Sequence, residues 1–414
     1  MQRFDQLFFR RSRESWKGIS AKELIGYLRP KSKDVLTWES LERLLAENRK
    51  LNIKFGIDPT ASDIHLGHLV PIMLLRMFQR AGHKIHFIIG DFTARVGDPS
   101  GRETARKPLT PAQIKDNQKT YLSQVGRFFD VKKAKVYHNG DWLSEMNLAE
   151  WFSIIQQIPL ADATQREDFR IRLKNNAGVS LAEAGYGVLM GIDSVKVKAD
   201  VEVGGVDQLL NFQQCRLVMA IKGLREEVAM TTPILEGLSG DGKKMSKSLG
   251  NYIAVTASLH DKFGKVMSAP DSQVIDYFRF FADVQEIEIP NLKKFIAENP
   301  MEAKKQIATY LVALESGDLQ TGERERADWE RLFSKHEVRA EDAHVLPFRP
   351  AVSIFALLAE SGRYESRSAL RRLFQQKAVR RIRDGGTEEV LSEDSLAELS
   401  MLLRVGKKDY FRVQ

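Results

Sequence analysis

A chain of 414 residues is longer than one hydrophobic core usually organises, so two to three domains are expected. Hydrophobic residues at 43% and charged residues at 29% exclude a disordered, collagen-like or mostly membrane-embedded chain. Lys and Arg number 63 against 55 Asp and Glu, a formal +8 that favours a polyanionic partner such as nucleic acid or nucleotide. The single cysteine, Cys215, excludes an intramolecular disulfide and a Cys-rich zinc site and fits a reducing, cytoplasmic setting. Apolar runs such as 70–75 and 87–89 fall far short of the roughly 18 residues that cross a bilayer. The first residues mix Asp5 and Glu14 with arginines and lack the apolar core of a secretory signal, which leaves only an organellar leader open.

From Asn52 onward, short apolar runs alternate with longer helical stretches, as in a parallel sheet with crossover helices. Asn52 to Ile57 reads as a strand, and the apolar spacing of Leu69 to Phe78 as a helix stopping at Gly82. Lys84 to Ile89 is the next strand. Thr110 followed by Pro111 predicts an N-cap and first helical residue, with the helix running on through Ile114 to Phe129. Ala134 to His138 reads as a third strand, 147–157 and 181–193 as helices, Val201 to Val203 as a short strand, and 206–221 as an amphipathic helix. Beyond Asn251 the strand signals give way to charged helical spacing, as over 291–299 and 302–315. Pro347 and Pro350 flank a linker, after which 366–413 has its own helix, turn and strand pattern.

Two constellations bear chemistry. His65-Leu66-Gly67-His68 falls after the first strand at the start of its helix, where free N–H groups and the helix dipole favour an anion. Two imidazoles there suit phosphate, and Gly67 leaves room for close backbone approach. A shared zinc is the weaker reading, because no third His or Cys stands at ligand spacing. Far downstream, Lys243-Lys244-Met245-Ser246-Lys247-Ser248 lies among Gly237, Gly240, Gly242 and Gly250, a cationic loop with flexible positions that suits a phosphate clamp.

The pairing of H-L-G-H with a later K-M-S-K-S resembles the class I aminoacyl-tRNA synthetases. Phe55-Gly56-Ile57-Asp58-Pro59-Thr60, Gly97-Asp98-Pro99-Ser100-Gly101-Arg102 and Val203-Gly204-Gly205-Val206-Asp207-Gln208 resemble the bacterial tyrosyl-tRNA synthetases. The last module, with Ser366-Arg367-Ser368-Ala369-Leu370-Arg371-Arg372-Leu373 and Val405-Gly406-Lys407-Lys408, is similar to an S4 RNA-binding domain. Residues 361–383 alone carry eight Lys or Arg and one acid, and Arg367 and Arg371 stand one helical turn apart.

The resemblance implies an α/β fold: a Rossmann-like parallel-sheet catalytic domain over 1–250 with an N-terminal helical extension, an α-helical anticodon-binding domain over 251–344, and a small α+β S4-like domain over 345–414. It implies ATP, with Mg2+ and no tightly held protein-ligated metal, as co-substrate, with tyrosine and tRNA as partners, in a homodimer. Thr60, His65 and His68 would meet the ATP phosphates, and Arg102, Arg106, Lys244 and Lys247 the departing pyrophosphate. Gly56, Gly205 and Asp207 would border the adenosine. Lys54, Asp58, Asp98, Tyr186, Met190, Asp193 and Gln208 would surround the amino acid, with Asp193 facing the phenol and Asp98 and Tyr186 the ammonium. Arg367, Arg371 and Arg372 would touch RNA.

The chain departs from the family pattern at Met190, where a glutamine usually stands, and methionine is a poor partner for an ammonium. At Lys54 many tyrosyl enzymes have a tyrosine, and one bacterial subgroup resembles this chain. A tyrosine–tRNA ligase is the expected function. A paralogue activating a tyrosine analogue and an RNA-binding protein on a synthetase scaffold are the alternatives, with a tryptophan-specific relative disfavoured by Asp193.

Overall fold

The computed structural model describes residues 2–59, 63–100, 110–164, 167–176, 178–334, 343–364, 366–383, 387–406 and 409–414. These divide into two compact units, Met1–Glu325 and Arg326–Gln414.

The first unit is built on six strands, β1 (Val35–Leu36), β2 (Asn52–Ile57), β3 (Lys84–Ile89), β4 (Lys135–His138), β5 (Val201–Gly205) and β6 (Val228–Thr232). Their order is β1-β6-β5-β2-β3-β4, with β2 to β6 parallel and β1 antiparallel at the edge. β6 and β1 are absent from the sequence-based expectation. β6 is buried at every residue, so it lacks the alternation that marks a half-exposed strand, and β1 is only two residues long. The chain leaves β2 for β3 and β4 on one side and later passes from β5 to β6 on the other. The β2–β5 boundary is therefore the switch point, where an open parallel sheet leaves a crevice beyond its carboxyl ends.

The Leu66–Arg80 helix after β2 buries Leu69, Val70, Ile72, Met73, Leu74, Leu75, Met77 and Phe78. Apolar side chains all round its middle make it a core helix. It ends as expected at Gly82, with the Gly82 N–H on the Gln79 carbonyl and the His83 N–H on that of Phe78, both at 3.0 Å. The Pro111–Val125 helix starts on the expected Thr110 cap, which is reciprocated by Gln113. The helix expected over 181–193 is instead split at Gly185 into Leu181–Ala184 and Tyr186–Val197. The one expected over 206–221 opens with a tight 3-10 turn over Val206–Gln208 before Leu209–Ile221.

The Tyr186–Val197 and Leu209–Ile221 helices cross closely. A Cβ on Gly191 would meet Val218 at 2.7 Å and the Cys215 backbone at 3.0 Å, so only glycine permits this approach. The N-terminal Phe4–Arg13 helix packs on the Val274–Phe281 and Pro300–Ser316 helices: the Phe8 ring lies 6.1 Å from Phe278 and 6.5 Å from Tyr310, and Arg11 pairs with Glu288 at 2.7 Å. The chain's first helix thus packs on late helices rather than on the early strands.

The second unit has five strands, β7 (His344–Leu346), β8 (Val379–Ile382), β9 (Glu388–Val390), β10 (Leu402–Val405) and β11 (Asp409–Val413), in the order β7-β11-β10-β8-β9. The Ile354–Glu360 and Arg367–Gln375 helices join its core through Ile354, Leu357, Leu358, Leu370 and Phe374, packed with Leu403, Phe411 and Val413.

Candidate active site

A cleft of about 470 Å3 opens beyond the carboxyl ends of β2, β3 and β5. The strand ends themselves supply Gly56, Ile57 and Asp58, then Gly90, then Gly204 and Gly205, so its position follows from the switch point. A Cβ on Gly56 would meet nothing within 4 Å, which leaves open space beside that backbone.

One corner is acidic. Asp58 accepts from the Tyr186 hydroxyl at 2.9 Å and from the Thr93 hydroxyl at 2.7 Å. Asp98 accepts from the Ser100 N–H and from Gln208 Nε2, both at 2.9 Å, and Asn211 in turn donates to Gln208 at 2.7 Å. Two carboxylates and a phenol held in fixed places make a site for a small cation, an ammonium above all. Burial, and then the Asp58 charge, raise the Tyr186 phenol well above its ordinary value, so it stays a hydrogen-bond donor.

Deeper in, Asp193 is buried and accepts from Trp142 Nε1 at 2.8 Å and Asn139 Nδ2 at 3.2 Å. Burial raises its carboxyl to about 6, against the pull of Lys54, Trp142 and Asn139. Beside it the floor is ionic. Lys54 Nζ donates to the Met190 carbonyl at 2.8 Å and the Ser194 hydroxyl at 2.7 Å, and pairs with Glu202 at 2.6 Å. Its three donors are therefore used by the wall itself. Burial works to lower the Lys54 ammonium, and Glu202 leads the charges that outweigh it and raise it. Ser194 passes its hydrogen on to Glu227 at 3.0 Å. Burial, then the Glu202 charge, push Glu227 far up, so it is a neutral acid. Among the described residues, Glu202, Cys215 and Glu227 are the one group placed like metal ligands, but the Lys54 ammonium already occupies Glu202.

At the other end, His65 caps the Leu66–Arg80 helix. Its Nδ1 accepts from the Gly67 N–H at 3.2 Å, while His68 Nδ1 accepts from the His65 N–H at 3.3 Å. Both rings therefore carry hydrogen on Nε2. Burial, then the charges of His68, Lys247 and Lys244, push His65 down to about 3; burial likewise lowers His68 to about 4. The pair offers neutral N–H donors, not a cationic clamp and not a metal site. Gly67 makes room for the His65 ring, which a Cβ would meet at 3.0 Å.

The 235–253 loop is folded on itself and tied to this end of the cleft at Ile253. The Leu66 N–H donates to the Ile253 carbonyl at 3.0 Å, the Met245 N–H to Leu235 at 2.9 Å and the Ser246 N–H to Asn251 Oδ1 at 2.8 Å. Lys244 lines the cleft without an ion-pair partner among the described residues. Lys247 stands outside the wall, paired with Asp63 at 2.9 Å.

A family model for class I tRNA synthetases (W and Y) matches residues 46–327. The chain belongs to that family. It is 38% identical over 373 residues to tyrosine–tRNA ligase 2 of Photorhabdus laumondii, covering 89% of this chain and 92% of the relative. It is 34% identical over 399 residues to the tyrosine–tRNA ligase of Thermotoga maritima, covering 95% and 98%. The fold is shared with a C-terminally truncated Aspergillus nidulans mitochondrial tyrosyl-tRNA synthetase, at a TM-score of 0.62 and 22% identity over 80% of this chain and 97% of that one. It is also shared with the Archaeoglobus fulgidus tyrosyl-tRNA synthetase complexed with L-tyrosine, at 0.59 and 21% over 74% and 99%.

In this synthetase the cleft gathers Lys54, Gly56, Asp58, His65, His68, Asp98, Tyr186, Met190, Asp193, Gly205, Asp207, Gln208 and Lys244 from the sequence-based set, and leaves Lys247 beside it. Thr60, Arg102 and Arg106 lie outside the described residues. Sequence reasoning passed over Asn139 and Trp142, which hold Asp193, over Thr93 and Asn211, which hold Asp58 and Gln208, and over Asp63. Asp63, two residues before His65, and Asn211, three after Gln208, stood beside motifs.

In the second unit, the cations of the 361–383 segment are partly spent. Arg371 pairs with Glu393 at 2.9 Å, Arg380 with Glu388 at 2.7 Å, Arg381 with Glu398 at 2.7 Å and Arg383 with Glu389 at 2.6 Å. Arg363, Arg367, Arg372 and Lys377 have no ion-pair partner among the described residues, so the uncompensated charge clusters around the Arg367–Gln375 helix.

Proposed function

We propose that the chain is a tyrosine–tRNA ligase, which joins tyrosine to AMP with loss of pyrophosphate from ATP and then passes the acyl group to tRNA(Tyr). The observation that carries this is the distribution of acids in the cleft: Asp193 buried at the deep end, and Asp58 and Asp98 with Tyr186 at the corner. A phenol needs a buried acceptor, which phenylalanine would leave unpaired, and an α-ammonium needs carboxylates. The curated relatives at 34–38% identity over most of the chain carry the same activity in their names.

The tyrosine carboxylate attacks the α-phosphorus of ATP, the bond to the bridging oxygen breaks, and pyrophosphate leaves. No side-chain nucleophile is needed; orientation and charge stabilisation suffice. His65 and His68 supply fixed Nε2–H donors, and Lys244 and Lys247 supply charge as pyrophosphate departs. Gly56, Gly205 and Asp207 border the adenosine. Asp58 and Asp98 are already hydrogen-bonded, so Mg2+ would enter on the ATP phosphates, neutralising their charge, rather than in a protein cage.

We assign anticodon contact to the helices of 251–344 and further RNA contact to the 345–414 segment, where Arg367 and Arg372 are better placed than Arg371, whose charge Glu393 shares. The expected result is tyrosine-dependent pyrophosphate exchange at ordinary synthetase rates. Arg367→Ala combined with Arg372→Ala should spare exchange but lower tRNA charging and cut its salt slope by about two. Charging unaltered by that variant would remove the RNA role.

Met190 on the cleft wall favours one second reading, a paralogue for a tyrosine analogue. The same exchange assay with a panel of amino acids decides it: silence with tyrosine beside brisk exchange with an analogue would replace the leading reading.

A homodimer is proposed through the apolar surface of 148–181. Leu148, Phe152, Leu160, Leu173 and Leu181 are each more than half exposed, a concentration that a lone chain would not keep in water. Light scattering should give twice the chain mass, and Phe152→Glu should reduce it. Among the described residues no helix is long and apolar enough to cross a membrane, and a cytoplasmic location is proposed with it.

Asp193 makes activity pH-dependent. Its free-enzyme carboxyl is raised to about 6, so above that pH it is an acceptor for the phenol and below it a protonated competitor. The kcat/KM for tyrosine should fall as pH drops through about 6, in a window where His65 at about 3 and His68 at about 4 do not titrate. Asp193→Asn should lower the plateau and abolish that inflection; an inflection that survives it belongs to another group.

A further inference from the structure

The amino ends of β2, β3 and β4, at the opposite edge of the sheet from the catalytic cleft, border a second cavity of about 650 Å3. Lys50 stands before β2, Lys84 opens β3 and Lys135 lies at the start of β4, and all three line it. These strands are adjacent, so the lysines rise from backbone spread over roughly 10 Å, at about 5 Å per strand. Arg13, the last residue of the first helix, and Lys17 just beyond it line the same cavity. None of these five cations has an ion-pair partner among the described residues. Of the two acids on the wall, Asp130 already pairs with Lys133 at 2.8 Å, leaving Glu14.

The wall is built rather than loose. Arg76 donates to the Ser12 carbonyl and Arg80 to that of Glu14, each at 3.0 Å, and Arg80 stacks on Trp16 at 3.9 Å, fixing the 12–17 segment as one side of the wall. His83 Nδ1 accepts from the Leu51 N–H at 3.2 Å, which puts its hydrogen on Nε2. Burial lowers His83 to about 4, so it is a neutral donor on the wall. Among the described residues that line the cavity, His83 has the one aromatic ring.

We propose that this cavity is a second anion site, separate from the cleft, that takes a short polyphosphate of two or three linked phosphoryl groups. Clustered ammonium groups with a fixed N–H donor match phosphoryl oxygens, and an open hollow of this volume holds two or three linked phosphoryl groups against several cations at once. The assignment stands whether or not the amino acid activated in the cleft is tyrosine.

Calorimetric titration of the whole protein with inorganic triphosphate tests it, using Lys50→Gln/Lys84→Gln/Lys135→Gln as the cavity variant and Lys244→Ala as the cleft variant. The cleft variant should keep a triphosphate site. The cavity variant should bind there at least about a hundredfold more weakly, with its melting curve and pyrophosphate exchange unchanged. Wild-type affinity and stoichiometry in the cavity variant would overturn the proposal. So would a short RNA duplex binding through these lysines where triphosphate does not, which would make the cavity part of a nucleic-acid surface.

Discussion

Lys54→Met is expected to destabilise the first unit by about 3–5 kcal/mol, because it leaves the Glu202 carboxylate buried with no counter-ion. Lys54 and Glu202 are both about 1% exposed and 2.6 Å apart, so solvent cannot stand in for the missing charge. The same substitution releases the Met190 carbonyl and the Ser194 hydroxyl, which lie on the helix carrying Tyr186 and Asp193, so tyrosine KM should rise as well. Glu227→Gln should cost no more than about 1 kcal/mol, since a neutral amide replaces an acid that burial already keeps neutral. Adding Glu202→Gln to Lys54→Met should recover much of the loss, because the orphaned charge is then gone. Denaturant unfolding of the three variants reads the stability changes, and steady-state kinetics of Lys54→Met reads the tyrosine KM. Equal losses for Lys54→Met and Glu227→Gln would show that the charge sits elsewhere in the cluster.

Lys247→Ala is expected to slow adenylate formation by about 10²–10³-fold while tyrosine affinity stays within about twofold. Its ammonium is needed where negative charge grows on departing pyrophosphate, and tyrosine binds at the other end of the cleft. The resting pair with Asp63 at 2.9 Å does not prevent this. Both partners are about a third or more exposed, and such pairs are worth little, so Lys247 can leave Asp63 for the phosphates. Asp63→Asn should accordingly change the single-turnover rate far less than Lys247→Ala does. His68→Ala should cost about 10²-fold through its lost Nε2–H donor. Single-turnover quenching with labelled ATP, beside equilibrium tyrosine binding, separates the two steps. Parallel loss of rate and tyrosine affinity would mean that Lys247 supports the fold of the cleft and not the leaving group.

Much of the architecture was legible because its signals are local. β2, β3 and β4 are short apolar runs bounded by turns, and the Leu66–Arg80 helix has a capped start and a glycine stop, features set by neighbours a few residues away. β6 was not legible, since a strand buried on both faces lacks alternation, nor was the packing of Phe8 on Phe278 and Tyr310, which joins distant segments.

The same division runs through the site. The sequence by itself determined which groups the chemistry has at hand: two histidines at a helix start, a lysine-bearing glycine-rich loop, acids for an amine and a phenol, and the methionine that departs from the pattern. Only the tertiary structure decided their states. It kept the histidines neutral by burying them, fixed their hydrogens on Nε2 by spending each Nδ1 on a backbone N–H group, and raised Asp193 to about 6 by burying it. It locked Lys54 into a wall with Glu202, and paired Arg371, Arg380, Arg381 and Arg383 with acids beyond the basic segment. Residue type is local and is written in the chain, whereas protonation and charge compensation depend on burial and on partners brought from remote positions, which exist only once the chain has folded.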